Sequence, residues 1–302
     1  MTHVPPPPAP PPPPGPPVDP GPAAGGPAAV PVCPRHPDRV SYVRCQRCGR
    51  PTCPDCQRPA AVGIQCVDCV AQAARTAPQV RTAFGGRLRD GRPVVTLVLI
   101  ALCVGSYGLQ WLVPGWTGRW AFAPVVGAAE PWRFLTAAFL HSPTSILHLA
   151  FNMVALWAVG PFLEQSLGRA RYLLLYGLSA VGSSVAVLLL ATPTDSWFTP
   201  VVGASGAVFG LFGAVLVVLR RLGRSARGIV GVLVVNLVLG FVVPSISWQG
   251  HLGGLVTGAA VGAALAYAPR ARRRAVAVAT GVGTLVVLVV AAVVTYAAVG
   301  LV

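Results

Sequence analysis

Seven apolar segments follow one another along the chain after residue 92. They run near residues 93–113, 146–163, 171–191, 203–219, 228–243, 250–268 and 275–301. Most approach the length of about 20 apolar residues that an α-helix needs to cross the hydrocarbon core of a bilayer. The pattern therefore predicts an all-α membrane protein with seven transmembrane helices.

The first 92 residues have a different pattern, in three parts. Residues 1–31 are dominated by proline, which lacks a backbone donor and favours extended polyproline II, so we expect a disordered tail there. Residues 32–70 hold seven of the eight cysteines in a short polar region, which predicts a compact module. Residues 71–92 are polar and rich in arginine, and are expected to be a basic linker.

Composition supports a membrane protein. The mean hydropathy is +0.66, with 54% hydrophobic and only 10% charged residues, which is too apolar for a water-soluble domain. The net charge of +15 comes from arginine, since the chain contains no lysine. A pI near 10.7 would suggest a nucleic-acid partner in a soluble protein. No basic stripe interleaved with aromatic residues occurs here, so we expect no nucleic acid and assign the arginines to the membrane surface.

The arginines also predict an orientation, because they lie before the first apolar segment and in every second connection after it. These connections contain Arg169 and Arg171, then Arg220, Arg221, Arg224 and Arg227, and finally Arg270, Arg272, Arg273 and Arg274. The positive-inside rule places these connections and the N-terminus in the cytoplasm. Residues 1–31 also lack the apolar core of a signal peptide. We therefore expect a multi-pass protein of the plasma membrane with a cytoplasmic N-terminus.

Four polar residues stand out within the apolar segments, where such groups are costly to bury and often functional. His148 and Asn152 are four residues apart near the start of the second segment, so they share one helical face. Ser205 opens the fourth segment and His251 opens the sixth. These three segments all run from outside to inside in the arginine-based topology. All four side chains are therefore expected at one depth, near the outer face.

A serine and a histidine at one depth can form a nucleophile and its general base. Ser205 would also lie at a helix N-terminus, where free backbone N–H groups favour a developing oxyanion, and Asn152 and His148 can supply further donors. Each residue by itself is more often explained by helix packing, since Ser205 and His251 lie among glycines with small-xxx-small spacing. Their combination favours a catalytic site.

These residues together resemble the rhomboid family of intramembrane serine proteases, over residues 132–269. The resemblance rests on the pair Trp132 and Arg133, on His148 and Asn152 as H-x-x-x-N, on Gly203 to Gly206 as G-x-S-G, and on His251 and Gly254 as H-x-x-G. It implies a rhomboid-like six-helix bundle over residues 93–269. Residues 270–302 would then add one further C-terminal transmembrane helix.

The resemblance also implies a mechanism. Ser205 would attack the scissile carbonyl while His251 takes its proton, as a dyad without a carboxylate. The backbone N–H of Ser205 would stabilise the oxyanion, together with the substrate-positioning residues Asn152, His148, Gly203 and Gly206. The implied substrates are single-pass transmembrane proteins, which reach the site sideways through the lipid bilayer and are cleaved near the extracytoplasmic face.

Two features depart from the common family pattern. Phe209 stands where many members have a tyrosine that stacks on the base histidine, so the hydroxyl is missing. The chain between His141 and His148 is also slightly longer and contains Pro143. Neither departure removes a catalytic group. Glu164 resembles a family glutamate that ties the cytoplasmic helix ends together, and we expect a structural role for it.

The cysteine-rich module contains four ligand pairs with the two-residue spacing of zinc sites. The pairs are Cys33 with His36, Cys45 with Cys48, Cys53 with Cys56, and Cys66 with Cys69. Eight ligands fit two tetrahedral structural zinc ions, which would supply the folding energy of so short a module. Disulfides are the alternative, but they are rare in the reducing cytoplasm. Cys103, in the first apolar segment, is expected to be a buried small residue.

The order of these pairs resembles B-box-type and treble-clef zinc fingers, which often interleave. The resemblance implies that the first pair shares a metal with the third, and the second with the fourth. Filled sites leave no open position for catalysis, so zinc is expected to be structural and no cofactor is expected for the reaction. A cytoplasmic protein is the expected partner of the module, with nucleic acid as the weaker alternative.

Two other functions remain as alternatives. A catalytically silent rhomboid-like adaptor would bind membrane helices and recruit a partner through the zinc module, although such proteins usually lack the serine or the histidine. A small-solute channel or transporter would need polar groups through the membrane depth and inverted repeats. The sequence shows neither of these two features.

Overall fold

The computed structural model describes residues 30–77, 82–86, 92–191, 195–242 and 246–301. The chain divides into two compact units, Met1–Pro78 and Gln79–Val302. The proline-rich tail expected over residues 1–31 lies outside the described residues except for its last two. The expected linker arginines Arg81, Arg87 and Arg89 also lie outside them. The sequence-based domain boundaries stay predictions.

The first unit is a small module of two short hairpins and one helix. Strand β1 (Val32–Cys33) pairs antiparallel with β2 (His36–Val40), and β3 (Gln57–Pro59) pairs antiparallel with β4 (Ile64–Cys66). Helix α1 (Val67–Thr76) follows directly. The two buried apolar clusters of this unit consist of cysteine side chains, so within the described residues it has no core of large apolar groups. Such a module depends on something other than hydrophobic burial for its stability.

The second unit is helical. In chain order its helices are α2 (Val94–Leu112), α3 (Trp116–Trp120), α4 (Pro124–Gly127), α5 (Arg133–Thr136), α6 (Ile146–Leu167), α7 (Arg169–Leu190), α8 (Asp195–Phe198), α9 (Ser205–Arg221), α10 (Arg227–Val242), α11 (Trp248–Ala266) and α12 (Arg273–Ala298). The seven long helices coincide with the seven apolar segments of the sequence. The expectation of an all-α membrane protein with a small cysteine-rich module is confirmed.

Within the described residues, four helices are long and apolar enough to cross a membrane. They are α2, α6, α7 and the helix over residues 270–298. Helices α9 and α10 have 17 and 16 residues and are shorter than a typical span. The chain is a multi-pass membrane protein, whereas the seven-span topology and its orientation stay predictions.

Glycine determines how closely the central helices approach. Helix α11 packs most extensively on α9 and then on α7. A methyl group on Gly254 would overlap the backbone of Gly206, and one on Gly258 would overlap Gly210. Close backbone approach through small residues is the usual basis of helix packing in lipid, where no hydrophobic force drives helices together. This contact brings the first turns of α9 and α11 side by side.

At the arginine-rich end of the bundle, a buried carboxylate joins two helices. Both oxygens of Glu164 accept backbone N–H groups of α2, from Val95 at 3.0 Å and from Thr96 at 2.9 Å. The hydroxyl of Thr96 donates a further hydrogen bond of 2.9 Å. A carboxylate at a helix N-terminus satisfies free donors and interacts well with the helix dipole. Glu164 thus has the position expected of a residue that ties helix ends together.

Residues 82–86 pack against the same end, although they fall within the expected linker 71–92. The ring of Phe84 is buried in the main apolar cluster of the bundle. The hydroxyl of Thr82 donates to the carbonyl of Ser166 at 2.6 Å, and the Arg171 guanidinium donates to the carbonyl of Phe84 at 2.7 Å. This segment is therefore anchored to α6 and α7.

At the opposite end, the connection between α2 and α6 is braced by Arg133. Its guanidinium is buried and donates to the carbonyl of Ala121 at 2.8 Å and to a carboxylate oxygen of Glu130 at 2.7 Å. Phe122 in this connection forms an isolated antiparallel bridge with Val201, just before α9. The neighbouring Trp132 is exposed. The connection and the segment that leads into α9 thus support each other.

Candidate active site and metal clusters

Ser205 and His251 form a hydrogen-bonded pair between two helices. The Oγ atom of Ser205 lies 2.9 Å from Nε2 of His251, although the residues are 46 positions apart in sequence. Both lie in the first turns of their helices, and the glycine contacts between α9 and α11 hold these turns together. The distance is within the range in which a base can take the proton of a serine hydroxyl.

The other ring nitrogen of the base is isolated. Nδ1 of His251 is buried and has no hydrogen-bond partner among the described residues. One face of the imidazole is covered by Phe209, whose ring is stacked at a centroid distance of 4.1 Å and an angle of 13°. Within the described part of the chain, packing against Phe209 therefore orients the histidine, and no carboxylate contacts its Nδ1. Among the described residues, this Ser-His pair has no third member.

The start of α9 offers donors for an anion beside the hydroxyl of Ser205. The backbone N–H groups in the first turn of a helix have no intrahelical acceptor, and the helix dipole adds partial positive charge there. Helix α9 begins at Ser205, so the N–H of this residue is one such donor. An oxyanion next to Oγ would lie close to these N–H donors and to the positive end of the helix dipole, where negative charge is best stabilised.

His148 is held in one tautomer by its surroundings. The backbone N–H of Ser142 donates to Nδ1 of His148 at 3.1 Å, so Nδ1 is an acceptor and the ring proton belongs on Nε2. A methyl group on Gly203 would lie 2.9 Å from this Nε2 and 3.5 Å from Oγ of Ser205. The proton on Nε2 therefore faces the space beside the serine hydroxyl.

Glycine keeps that space open. Gly203 has a φ of +135°, which L side chains rarely adopt, and its N–H donates to the carbonyl of Ala137 at 3.0 Å. Gly206 is buried, and a methyl group there would overlap the side chain of Ser183. Gly203 thus leaves room beside the hydroxyl of Ser205, whereas Gly206 allows α9 to approach Ser183 and the carbonyl of Gly250 closely.

Asn152 is buried one helical turn after His148. Its amide nitrogen donates to the carbonyl of His148 at 2.8 Å, which uses one of its two N–H groups. His141, which the sequence left unassigned, is fully buried with its ring edge-on to His148 at 5.3 Å. The structure thus groups the two histidines on one side of the site.

A cavity of about 40 Å³ adjoins Ser205 and His251 and is bounded by Val201, Gly203 and Ser247 among others. A water molecule needs only about 10–15 Å³ of such space. The serine, its base and at least one water can therefore share a compartment with a partly polar lining.

The cysteine-rich unit contains two separate clusters that can hold metal ions. One consists of Cys33, His36, Cys53 and Cys56, and the other of Cys45, Cys48, Cys66 and Cys69. Within each cluster the ligand atoms all lie within 4.8 Å of one another. The first pair is grouped with the third and the second with the fourth, the interleaved arrangement that the resemblance implied.

The spacing of the ligand atoms fits a tetrahedral site. Zinc with Zn–S bonds of about 2.3 Å would place two sulfurs about 3.8 Å apart. The Sγ atoms of Cys48 and Cys66 are 3.8 Å apart. Nδ1 of His36 lies 3.3 Å from Sγ of Cys53 and 3.4 Å from Sγ of Cys56, so Nδ1 would be the ligand atom of this histidine if a metal binds there.

The surroundings of the thiols favour cation binding. The backbone N–H of Cys53 lowers the pKa of Cys33 to about 6, so this thiol becomes a thiolate easily. Burial raises the pKa of Cys56 to about 11, and the neighbouring Cys53 and Cys33 raise it further. Such a cluster lacks positive charge, which a divalent metal ion would supply.

Two residues near the site, Ser183 and Tyr296, were not predicted from the sequence motifs. Ser183 lies against Gly206 and Gly250, and Tyr296 of α12 reaches the connection between α2 and α6. The sequence contains one indication that Tyr296 is special, because it is the sole aromatic residue in the apolar segment 275–301. It contains no such indication for Ser183, since serines are common in this part of the chain.

Comparison with known proteins identifies the helical unit. Residues 128–268 match the family model described as the Rhomboid domain. The chain is 34% identical over 192 residues to the Rhomboid protease GluP of Bacillus subtilis (strain 168), covering 59% of this chain and 36% of that protein. It is 34% identical over 154 residues to RHOMBOID-like protein 5 of Arabidopsis thaliana, covering 48% of each.

A third relative is the Rhomboid protease GlpG of Salmonella typhi. The identity is 29% over 192 residues, which cover 60% of this chain and 66% of that protein. The chain thus spans between about a third and two thirds of the length of these three relatives. The cysteine-rich unit lies outside the residues that match the family model.

Proposed function

Since residues 128–268 form a rhomboid domain, we propose that the protein is an intramembrane serine endopeptidase that cleaves single-span membrane proteins. The observation that carries the proposal is the 2.9 Å contact between Ser205 and His251 beside a cavity at one end of the bundle. Two relatives are named rhomboid proteases, which supports the same class of reaction.

The first half of the reaction makes an acyl-enzyme. Oγ of Ser205 bonds to the scissile carbonyl carbon while its proton passes to Nε2 of His251. The tetrahedral intermediate collapses when the C–N bond breaks, and the imidazolium returns the proton to the leaving amine. Phe209 lies against the imidazole throughout, and a π face stabilises the transient positive charge.

The carbonyl oxygen becomes an anion in this step and needs donors. Nε2 of His148 and the hydroxyl of Ser205 border the space beside Gly203, and the backbone N–H of Ser205 and the second amide N–H of Asn152 are the further candidate donors. Donors fixed before the reaction stabilise a transition state without reorganisation, and one such donor contributes about 10²- to 10³-fold in kcat.

The second half of the reaction hydrolyses the ester. Water in the cavity next to Ser205 gives a proton to His251 and bonds to the acyl carbon, and the serine oxygen leaves with the proton from the imidazolium. The requirement for water explains why the cavity is needed inside an otherwise apolar bundle.

We place the reaction near the extracytoplasmic face of the plasma membrane. Ser205 and His251 lie in the first turns of their helices, and the clusters Arg220 to Arg227 and Arg270 to Arg274 lie at or just after the ends of the same helices. The positive-inside rule assigns arginine-rich ends to the cytoplasm, which leaves the site at the other face.

The test is cleavage of a single-span membrane reporter coexpressed with the protein. We expect cleavage by the parent protein and none by Ser205→Ala or His251→Ala, with Ser225→Ala as the matched control in a loop outside the site. A fluorophosphonate probe should label the parent at Ser205 and leave both active-site variants unlabelled. Equal cleavage by the parent and Ser205→Ala would exclude the protease and favour the silent adaptor.

For the cysteine-rich unit, the proposed role is to bind two structural zinc ions, one in each cluster. Tetrahedral spacing and thiolate-rich ligands fit zinc better than the oxygen-binding cations. The metal would supply the folding energy that the small apolar interior of this unit does not. A cytoplasmic protein partner for the module stays a prediction of the sequence.

A further inference from the structure

Helix α12 is largely exposed, yet its far end is fixed by one aromatic residue. Tyr296 is the one buried side chain among the residues of α12, all of which the structure describes, and it is 3% exposed. The apolar stretch that makes up most of this helix contains no other buried residue. Most of its surface therefore faces outward. Leu288, Ala291 and Ala292 are partly buried against the bundle, and Tyr296 is the buried attachment at the end nearest the candidate active site.

The attachment is a hydrogen bond to a loop. The hydroxyl of Tyr296 donates to the carbonyl of Pro124 at 2.9 Å, in a buried environment and across 172 residues of sequence. Gly127 lies against the same hydroxyl, and a methyl group there would overlap it. The ring of Tyr296 is also edge-on to Trp197 at 6.2 Å. These contacts fix helix α4 relative to α12.

From this loop, contacts lead to the wall of the cavity. Phe122, two residues before Pro124, is fully buried and packs on Phe134 with ring centroids 4.5 Å apart. The N–H of Phe122 donates to the carbonyl of Val201 at 3.3 Å, and the N–H of Val201 donates back at 2.7 Å. Val201 bounds the cavity and lies two residues before Gly203.

We propose that Tyr296 is a positioning residue for the protease: its hydroxyl holds the loop that fixes residues 201–203 beside Ser205. The proposal rests on the proposed function and gives the seventh helix a part in it. Tyr296 touches neither the serine nor its base. It acts through Pro124, Phe122 and Val201 on the space in which the substrate carbonyl would lie.

The simpler alternative is that Tyr296 only anchors α12 and contributes to stability. The two roles differ in what they change. A pure anchor would alter the fraction of folded protein and leave each folded molecule fully reactive. A positioning residue would slow acylation in protein that is fully folded, because the donors around Gly203 would be less well placed.

The experiment compares Tyr296→Phe with Thr295→Val in the full-length protein. Both variants lose one hydroxyl, but that of Thr295 donates to the carbonyl of Ala291 on its own helix. The rate of fluorophosphonate labelling at Ser205 is measured well below the melting temperature of each protein. We expect Tyr296→Phe to label about fivefold more slowly, as for the loss of one buried hydrogen bond, and Thr295→Val to label at the parental rate.

A double-mutant cycle with Gly127→Ala sharpens the test. The added methyl overlaps the hydroxyl of Tyr296 most closely and also meets the rings of Phe122 and Phe134, so Gly127→Ala should slow labelling in both backgrounds, and by a smaller factor in Tyr296→Phe, where the hydroxyl is gone. Labelling of Tyr296→Phe at the parental rate, or a decrease that only follows its unfolded fraction, would overturn the positioning role while leaving the protease intact. Absence of labelling in the parent would overturn both.

Discussion

The ring of Phe209 lies nearly parallel to the imidazole of His251, with centroids 4.1 Å apart, although the family resemblance would lead one to expect a tyrosine at this position. The stacking therefore does not need the hydroxyl. Because Nδ1 of His251 has no partner among the described residues, this contact is the principal restraint on the plane of the ring. It takes the orienting role that a carboxylate has in a catalytic triad.

Replacing Phe209 with alanine should lower kcat about threefold to tenfold, since an aromatic pair of this kind contributes about 0.5–1.5 kcal/mol. Phe209→Tyr is the matched control, because it keeps the ring and should keep most of the activity. Reporter cleavage and probe labelling measure both variants. A fully active Phe209→Ala would show that the histidine is oriented by other contacts.

Removing the imidazole of His148 should reduce kcat about a hundredfold with little change in KM, because the lost donor acts on the oxyanion and not on the bound substrate. The measurement is steady-state cleavage of a detergent-solubilised reporter by His148→Ala. Labelling of Ser205 should persist at a reduced rate, since Ser205 and His251 remain in contact. A change confined to KM would contradict an oxyanion role.

The carboxylate of Glu164 should contribute mainly to stability. Glu164→Ala leaves the N–H groups of Val95 and Thr96 without their acceptor. Because these are buried hydrogen bonds to a carboxylate, we expect the free energy of unfolding to fall by about 3 kcal/mol. Denaturation in detergent followed by circular dichroism measures this. Gln165→Ala, at the exposed neighbouring position, should be nearly neutral. Equal stability of the two variants would contradict the capping role.

The two clusters of the cysteine-rich unit should bind metal independently. Purified parent protein is expected to contain about two zinc ions per chain, and Cys53→Ser or Cys45→Ser about one, because each removes a ligand from a different cluster. Cys103→Ser, a cysteine buried in α2, should retain both ions. Elemental analysis gives the metal and its stoichiometry. Full zinc content in Cys53→Ser would contradict the first site.

The long helices could be predicted from the sequence because their signal is local. An apolar run near spanning length forms a helix in lipid whatever its neighbours do, since only intrahelical bonds satisfy its backbone there. The segment predicted over residues 203–219 became Ser205–Arg221, and the segment over 275–301 became Arg273–Ala298. The short helices between α2 and α6 were not predicted, because few of their residues follow an apolar period.

The sequence by itself determined which residues are candidates for the chemistry of this protein: a serine and a histidine in the first turns of two helices, eight side chains that could hold metal ions, and a glutamate near a helix end. These depend on residue type and spacing, which are present in the unfolded chain. The tertiary structure alone decided that Oγ of Ser205 meets Nε2 of His251, that Ser142 directs the proton of His148, and that Tyr296 reaches Pro124. Such contacts join atoms from separate helices and loops. These contacts form only in the folded protein, in which glycines allow the helices to pack closely.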